Sequence, residues 1–328
     1  MNKSLLFLVG LFAFFSCKES SNTPIIVVNY NVENLFDTIN DPEINDEEFT
    51  PDSKKEWNED RYAKKLSNIA QVLASIDTCK LPAVIGLEEI ENRKVLEDLI
   101  ADSALLAANY QIAHQDSPDK RGIDVALLYN PEVFKYIEFE VLPVALEFPT
   151  RDILHVKGEI KGETFHIYVN HWPSRIGGTE ETEKYRIVAA NALQASIVNE
   201  SAQDKDANII ILGDMNDEPS NNSISKVLDA NTPNSDARLV NLMYEKHLNK
   251  EGSYNFRGNW NMLDNMIVSR SLLDKNGLQV VESTGYIHRL PFFEFTNNHG
   301  EVSPSRTYGG PNYYGGVSDH FPVYFILK

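Results

Sequence analysis

The residues that most constrain this chain are Ile209 to Leu212, an unbroken aliphatic run that ends at Gly213 and gives way at once to Asp214, Asn216 and Asp217. A run with no polar member cannot turn alternate side chains to water. It therefore reads as a strand buried on both faces, which requires layers packed above and below its sheet. A carboxylate and an amide two residues apart at the end of such a strand sit on rigid backbone at a rim that a substrate can reach. An Asx turn is the plain alternative for the same residues.

Similar strand ends recur along the chain. Ile25 to Asn31 is a β-branched run ending in amides, with Asn34 close behind. Ala83 to Leu87 runs into Glu88 and Glu89. Ile153 to Ile160 and Thr164 to Trp172 flank a Lys-Gly-Glu turn and read as a hairpin whose second arm ends in Asn170-His171-Trp172. Leu263 to Val268 holds Asp264, and Phe321 to Leu327 follows Asp319-His320. Strands are also expected at Tyr110 to His114, Ile123 to Tyr129 and Tyr136 to Leu142. Helical spacing predicts an amphipathic helix from Asp60 through Ile76 and another over Asn92 to Ala108. A long helix is expected over Thr179 to Glu200 with Tyr185, Val188, Ala192 and Ile197 inward, and a short one near Ile224 to Leu228. Residues 37 to 60 carry ten acids and no sustained period, which reads as a solvated loop. Hairpins mixed with α crossovers, and no composition break after residue 24, favour one α/β domain.

The 328 residues are 42% hydrophobic and carry a net charge of −18, so a large core is available and the surface as a whole repels polyanions. That weighs against a passive nucleic-acid binder, and less against an enzyme that meets phosphate through a bound cation. Residues 1–16 read as a signal peptide: Lys3, then an apolar run from Leu5 to Phe15 too short to cross a bilayer. Cys17 stands behind Ser16 as in a bacterial lipobox, with Phe14 where Leu is usual. Residues 17–23 then form a tether and residues 24–328 the folded domain. Cys79, the one remaining thiol, permits no disulfide framework and reads as a minor packing residue.

Taken together, the strand ends present Asn31, Glu89, His171, Asp214, Asn216, Asp264, Asp319 and His320. Each has an ordinary reading alone: a strand-ending amide, a helix-capping acid, a satisfied histidine, one side of a salt bridge. Brought together, several carboxylates repel and raise one another's pKa unless a cation neutralises them. Oxygen ligands without cysteine suit Mg²⁺ or Mn²⁺, with Ca²⁺ also in range. Histidines and amides around such a cation suit attack on a phosphoryl centre.

Six segments resemble the endonuclease/exonuclease/phosphatase superfamily of DNase I-like enzymes, in that family's order. They are Asn29-Tyr30-Asn31-Val32-Glu33-Asn34, Ile85-Gly86-Leu87-Glu88-Glu89-Ile90, Val169-Asn170-His171-Trp172-Pro173-Ser174, Gly213-Asp214-Met215-Asn216, Met262-Leu263-Asp264-Asn265 and Ser318-Asp319-His320-Phe321-Pro322. The resemblance implies a four-layer α/β/β/α sandwich with two central mixed sheets and the site at one end of them. It also implies roles. Asn31 and Glu89 hold the metal, with Asp319 sharing it or a second ion. Asp214 positions or deprotonates the attacking water, supported by Asn216. His320, oriented by Asp264, and His171 opposite stabilise the phosphate. Glu88 stands where the family more often has Gln, and Asn265 where an aromatic or His is common. Arg121, Arg151 and Arg175 are the cations near the motifs, and each is a phosphate contact or one side of an ion pair.

The first expectation is an exported, metal-dependent nuclease acting on DNA or RNA, lipid-anchored in the cell envelope on either the periplasmic or the outer face. The opening Asn31-Val32-Glu33-Asn34-Leu35-Phe36 looks most like the extracellular-nuclease branch. The alternative keeps the chemistry on a phospholipid or inositol phosphate. A catalytically silent surface-binding protein is the third, and it predicts a lost catalytic position, whereas all eight are present. Oligomeric state is left open.

Overall fold

In the computed structural model, which describes residues 23–205, 207–274 and 276–328, strand parity decides what each side chain meets. Along β1 (Ile25–Leu35), Ile26, Val28, Tyr30 and Val32 join one apolar layer while Ile25 and Val27 join another. Successive strand residues point to opposite faces, so a strand apolar at both parities has to be covered twice. β1 lies in a sheet of order β14 (Tyr286–Ile287), β19 (Val323–Leu327), β1, β2 (Val84–Ile90), β4 (Asp124–Tyr129), β3 (Gln111–His114). The second sheet has the order β5 (Phe134–Leu142), β6 (Ile153–Ile160), β7 (Glu163–His171), β8 (Asn208–Asp214), β13 (Asp264–Ser269), β10 (Leu239–Asn241), β9 (Ala230–Asn231). Both sheets are mixed: β1 runs parallel to β2 and antiparallel to β19, and β8 parallel to β7 and antiparallel to β13.

Val27, Val84, Leu127 and Phe325 from the first sheet meet Phe165, Val169, Leu212 and Met266 from the second, so the sheets pack face to face. α1 (Glu59–Ala74) and α2 (Arg93–Ile100) cover the outer face of the first sheet, and α3 (Thr179–Gln203) that of the second. The result is the expected four-layer α/β/β/α sandwich. Three short hairpins stand at its rim: β11 and β12 (Tyr254–Phe256, Asn259–Asn261), β15 and β16 (Glu294–Thr296, Val302–Pro304), β17 and β18 (Tyr308–Gly309, Asn312–Tyr313).

Several local expectations change. α2 stops at Ile100, capped at its start by the Asn92 side chain, and a separate 3-10 turn covers Leu106–Ala108. The short helix near Ile224 is a π turn over Ser223–Val227. The acidic segment 37–60 is anchored rather than simply solvated, because Phe49 stacks on Phe36 at 4.1 Å and Trp57 donates to the Phe36 carbonyl. Cys79 is exposed and packs no core. The inward stripe of α3 is Thr182, Arg186, Ala189, Ala190, Leu193 and Ile197, with Tyr185, Val188 and Ala192 only partly covered. The stripe is rotated from the expected one and takes in Arg186, which is buried against Asp217 at 2.7 Å. The expected signal peptide and the expected lipidation site at Cys17 lie outside the described residues.

Beneath the C-terminal turns of α3, His155 on β6 and His166 on β7 share a proton between Nε2 and Nδ1 at 3.0 Å. Burial and the neighbouring His155 push the His166 imidazole below its ordinary 6.5, against the pull of Glu200. The unfolded chain therefore binds a proton that the folded one resists. The resulting stability is complete above pH 6.5 and is lost as pH falls through 6.5 toward the lower folded value. His166→Gln should show a smaller drop in melting temperature than the parent between about pH 7.5 and about pH 5. Parallel curves would remove His166 from this role.

Candidate active site

The site lies where the inter-sheet layer changes character at one end of the strands. The parity that carries Val27 inward carries Asn29 and Asn31 further along β1. Likewise Val84 gives way to Glu88 on β2, Val169 to His171 on β7, Leu212 to Asp214 on β8 and Met266 to Asp264 on β13. All six are buried, and backbone register fixes them. β1 and β2 both break register here, between Asn31 and Leu35 and between Glu88 and Ile90. The bulge puts Glu89 at φ 64 and brings it to the same rim while Glu88 stays underneath.

Asn31 joins the acids: its Nδ2 donates to Asp214 Oδ2 at 3.0 Å and to Glu89 Oε1 at 3.4 Å, and its Oδ1 accepts from the Glu33 amide. Glu89 Oε2 accepts from the Asn34 amide at 2.8 Å. His171 Nε2 and His320 Nε2 each stand 3.8 Å from Asp214 Oδ2. His320 Nδ1 meets Asp264 Oδ2 at 2.7 Å, and the Ser253 hydroxyl donates to that same oxygen. The Tyr254 ring lies over His320 with centroids 4.8 Å apart. Asp319 is part-exposed, paired with Arg306 at 2.7 Å and 4.0 Å from His320 Nε2.

Asp214 also accepts from the Asn216 amide at 2.9 Å, with Asn216 at φ 49, so the Asx turn and the functional rim are one structure. Asn216 Nδ2 ties the turn to the Trp172 carbonyl. Gly213, at φ 153, admits no side chain: a Cβ there would lie 2.2 Å from the Asn170 carbonyl oxygen. Gly316 is as tight, since its Cβ would lie 2.1 Å from the Ser305 carbonyl oxygen, and that contact sets the approach of Asp319 and His320.

Electrostatics separate the two imidazoles. Burial opposes charge on His320, but Asp264 and Asp214 outweigh it and hold its pKa well above 6.5. His171 goes the other way: burial first, then Arg151, Arg121 and His320, hold it well below 6.5, and its buried Nδ1 has no partner. Burial raises Asp214 to about 6 against the pull of His320. Glu89 is raised by burial and then by the charge of Asp319. A buried carboxylate raised further by a neighbouring acid's charge is the condition a cation relieves, so Glu89, with Asp319 as a second oxygen donor, fits a divalent metal. Asn31 turns its N–H toward the acids, and only the second lone pair of its Oδ1 is available to an ion. Among the described residues, a group of three acid and imidazole atoms all within 4.8 Å of one another is formed instead by His114, Asp116 and Asp124. There Asp124 also fastens the loop between β3 and β4 by accepting from the Ser117 amide.

Two of the three arginines have structural duties. Arg151 is buried, donating to the His171 and Trp172 carbonyls and to Asp119. Arg175 donates to the Asn216 carbonyl, Asn221 and Asn261. Arg121, paired with Asp119 but half-exposed, remains the one of the three open to a ligand in a cavity of about 610 Å³ shared with His171, Asp214 and His320. Sequence reasoning missed Ser253, Tyr254, Arg306 and Lys65. Lys65 is buried and donates to the Glu33 and Val317 carbonyls and to Thr307. A lysine on the apolar face of α1 was its only signal.

A family model described as "Endonuclease/Exonuclease/phosphatase family" matches residues 26–328. Solved structures of the same fold include an endonuclease/exonuclease/phosphatase family protein from Bacteroides thetaiotaomicron, with 17% identity, a TM-score of 0.58 and 93% of this chain against 98% of that one. The mannosyl-6-phosphatase Bt3783 of the same organism has 18% identity, a TM-score of 0.57 and 93% against 99%. D. rerio TDP2 complexed with single-strand DNA product has 14% identity, a TM-score of 0.57 and 94% against 100%. No curated protein matches. With the matching model spanning nearly the whole described chain, the protein belongs to the endonuclease/exonuclease/phosphatase family of phosphoester hydrolases.

Proposed function

We propose that this chain is a divalent-metal-dependent phosphodiesterase, exported and held in the cell envelope through Cys17, that cleaves nucleic acid by in-line attack of water. The observation that carries the reading is the Asp264–His320 pair, whose Nε2 stands 3.8 Å from Asp214 Oδ2, with His171 Nε2 at the same distance from that oxygen. Asp214, ionised above about 6, orients the attacking water and takes its proton. His320, kept protonated by Asp264, holds a phosphate oxygen and stabilises the charge that develops there. Neutral His171 also donates from Nε2. Asn216 keeps the turn in place, and Arg121 is positioned to meet the phosphate. Glu89, Asp319 and Asn31 would hold the metal, Mg²⁺ or Mn²⁺. When bound, the cation neutralises phosphate charge and polarises the P–O bond. That a protein of this fold is solved with a single-strand DNA product supports nucleic acid over lipid as substrate.

Residues 24–328 with Mg²⁺, Mn²⁺ or Ca²⁺ should cleave DNA or RNA and lose that activity in EDTA. Cleavage of sphingomyelin alone would transfer the assignment to a lipid substrate. Glu89→Gln should raise the Mg²⁺ concentration for half-maximal rate by about 10- to 100-fold. It should also abolish the rise in melting temperature that Mg²⁺ gives the parent. An unchanged metal requirement would remove Glu89 from the ligand set.

A further inference from the structure

Beside the catalytic cavity, and sharing Tyr254, Phe256 and Asp319 with it, opens a second cleft of about 820 Å³. Its walls are two rim hairpins: β11, carrying Tyr254 and Phe256, lies against β16, whose partner β15 carries Phe295. Tyr314 closes the far side. Phe256, Phe295 and Tyr314 are 53%, 55% and 62% exposed, so aromatic surface left uncovered by the fold is gathered at one place. Asn255 and Ser303 add polar groups to the lining.

The charges around the site point to the same ligand. Arg151 is spent on Asp119, Arg175 on Asp217 and Arg306 on Asp319, which leaves Arg121, itself paired with Asp119 but half-exposed, for the scissile phosphate within a chain of net charge −18. These arginines offer no basic track along which a duplex backbone could lie, so affinity beyond the scissile phosphate has to come from another source. Exposed aromatic faces in a cleft that polar groups also line supply it to a flat heterocycle with hydrogen-bonding edges. An acyl chain gains nothing from the polar groups, and a base paired within a duplex cannot present its face.

Resting on the phosphodiesterase reading above, we propose that the cleft between β11–β12 and β15–β16 receives one unstacked nucleobase next to the phosphate held at His320. The enzyme thereby selects single-stranded ends or short nucleotides over duplex.

The test compares a dinucleotide with its analogue lacking one base, in Mg²⁺, and measures binding of a nucleoside 5′-monophosphate against ribose 5-phosphate without metal. The wild-type protein should prefer the base-bearing member of each pair. Phe295→Ala and Tyr314→Ala remove exposed rings, so the fold stands, and each should lower that preference about tenfold. Phe295→Trp should keep it. An unchanged preference in both alanine variants, or wild-type binding of ribose 5-phosphate or mannose 6-phosphate as tight as the nucleotide, would overturn the base subsite. Failure of the wild-type protein to cleave either dinucleotide would instead defeat the phosphodiesterase reading, and the binding comparison would still decide whether the cleft takes a base.

Discussion

His320→Ala is expected to lower the turnover number for phosphodiester cleavage by about 10³-fold at saturating metal. Two effects combine. The imidazolium that Asp264 holds at 2.7 Å is the cationic donor nearest Asp214, and removing it leaves the developing phosphate charge without its partner. The same change removes the group that pulls Asp214 down, so the Asp214 pKa rises above about 6. In the proposed mechanism Asp214 works ionised, so activity is expected above its pKa and should be lost as pH falls through it. The acid limb of the rate profile in His320→Ala should therefore move to higher pH. Asp264→Asn keeps the ring's place but withdraws the charge that keeps it protonated, and should cost about 10²-fold or more. A His320→Ala enzyme within a few-fold of the parent rate would defeat the mechanism whatever the substrate.

Much of this site was legible because its logic is one-dimensional. Val27 to Asn31, Val84 to Glu88 and Leu212 to Asp214 are strands whose inward parity turns from apolar to polar at one end, and an alternation of that kind survives in sequence. The positions that hold those residues do not. Ser253 reaches Asp264 and Lys65 reaches Val317, contacts made by chain segments that meet only in the folded state. The rotation of α3 was equally hidden, since hydropathy puts arginine outside and only the buried Asp217 explains Arg186 within. The hairpins lining the aromatic cleft are strands of two or three residues, too short to show a period. Asn265, which departs from the family's usual residue, shows its reason in three dimensions. It donates to the Asp217 and Leu263 carbonyls and accepts from Asn241, fastening β13 to the turn that follows Asp214.

That turn is where the largest stability effect is expected. Arg186 and Asp217 are both 0% exposed and 2.7 Å apart, with the Ser223 hydroxyl on the other carboxylate oxygen. Removing one partner of such a pair strands the other, so Arg186→Ala should destabilise the fold by about 3–5 kcal/mol. For a chain of this size that lowers the melting temperature by on the order of 10 °C. Part of the loss comes from neutralising Asp217, because burial already pushes its carboxyl up against the pull of Ser223 and Arg186. Arg186→Met combined with Asp217→Asn removes both charges and keeps most of the volume, and should recover over half of the loss. Because Asp217 is three residues from Asp214, and Arg175 bridges the Asn216 carbonyl and Asp217, the single variant should also lower activity below its melting point. A double variant no more stable than Arg186→Ala would show that packing, rather than the stranded charge, sets the cost.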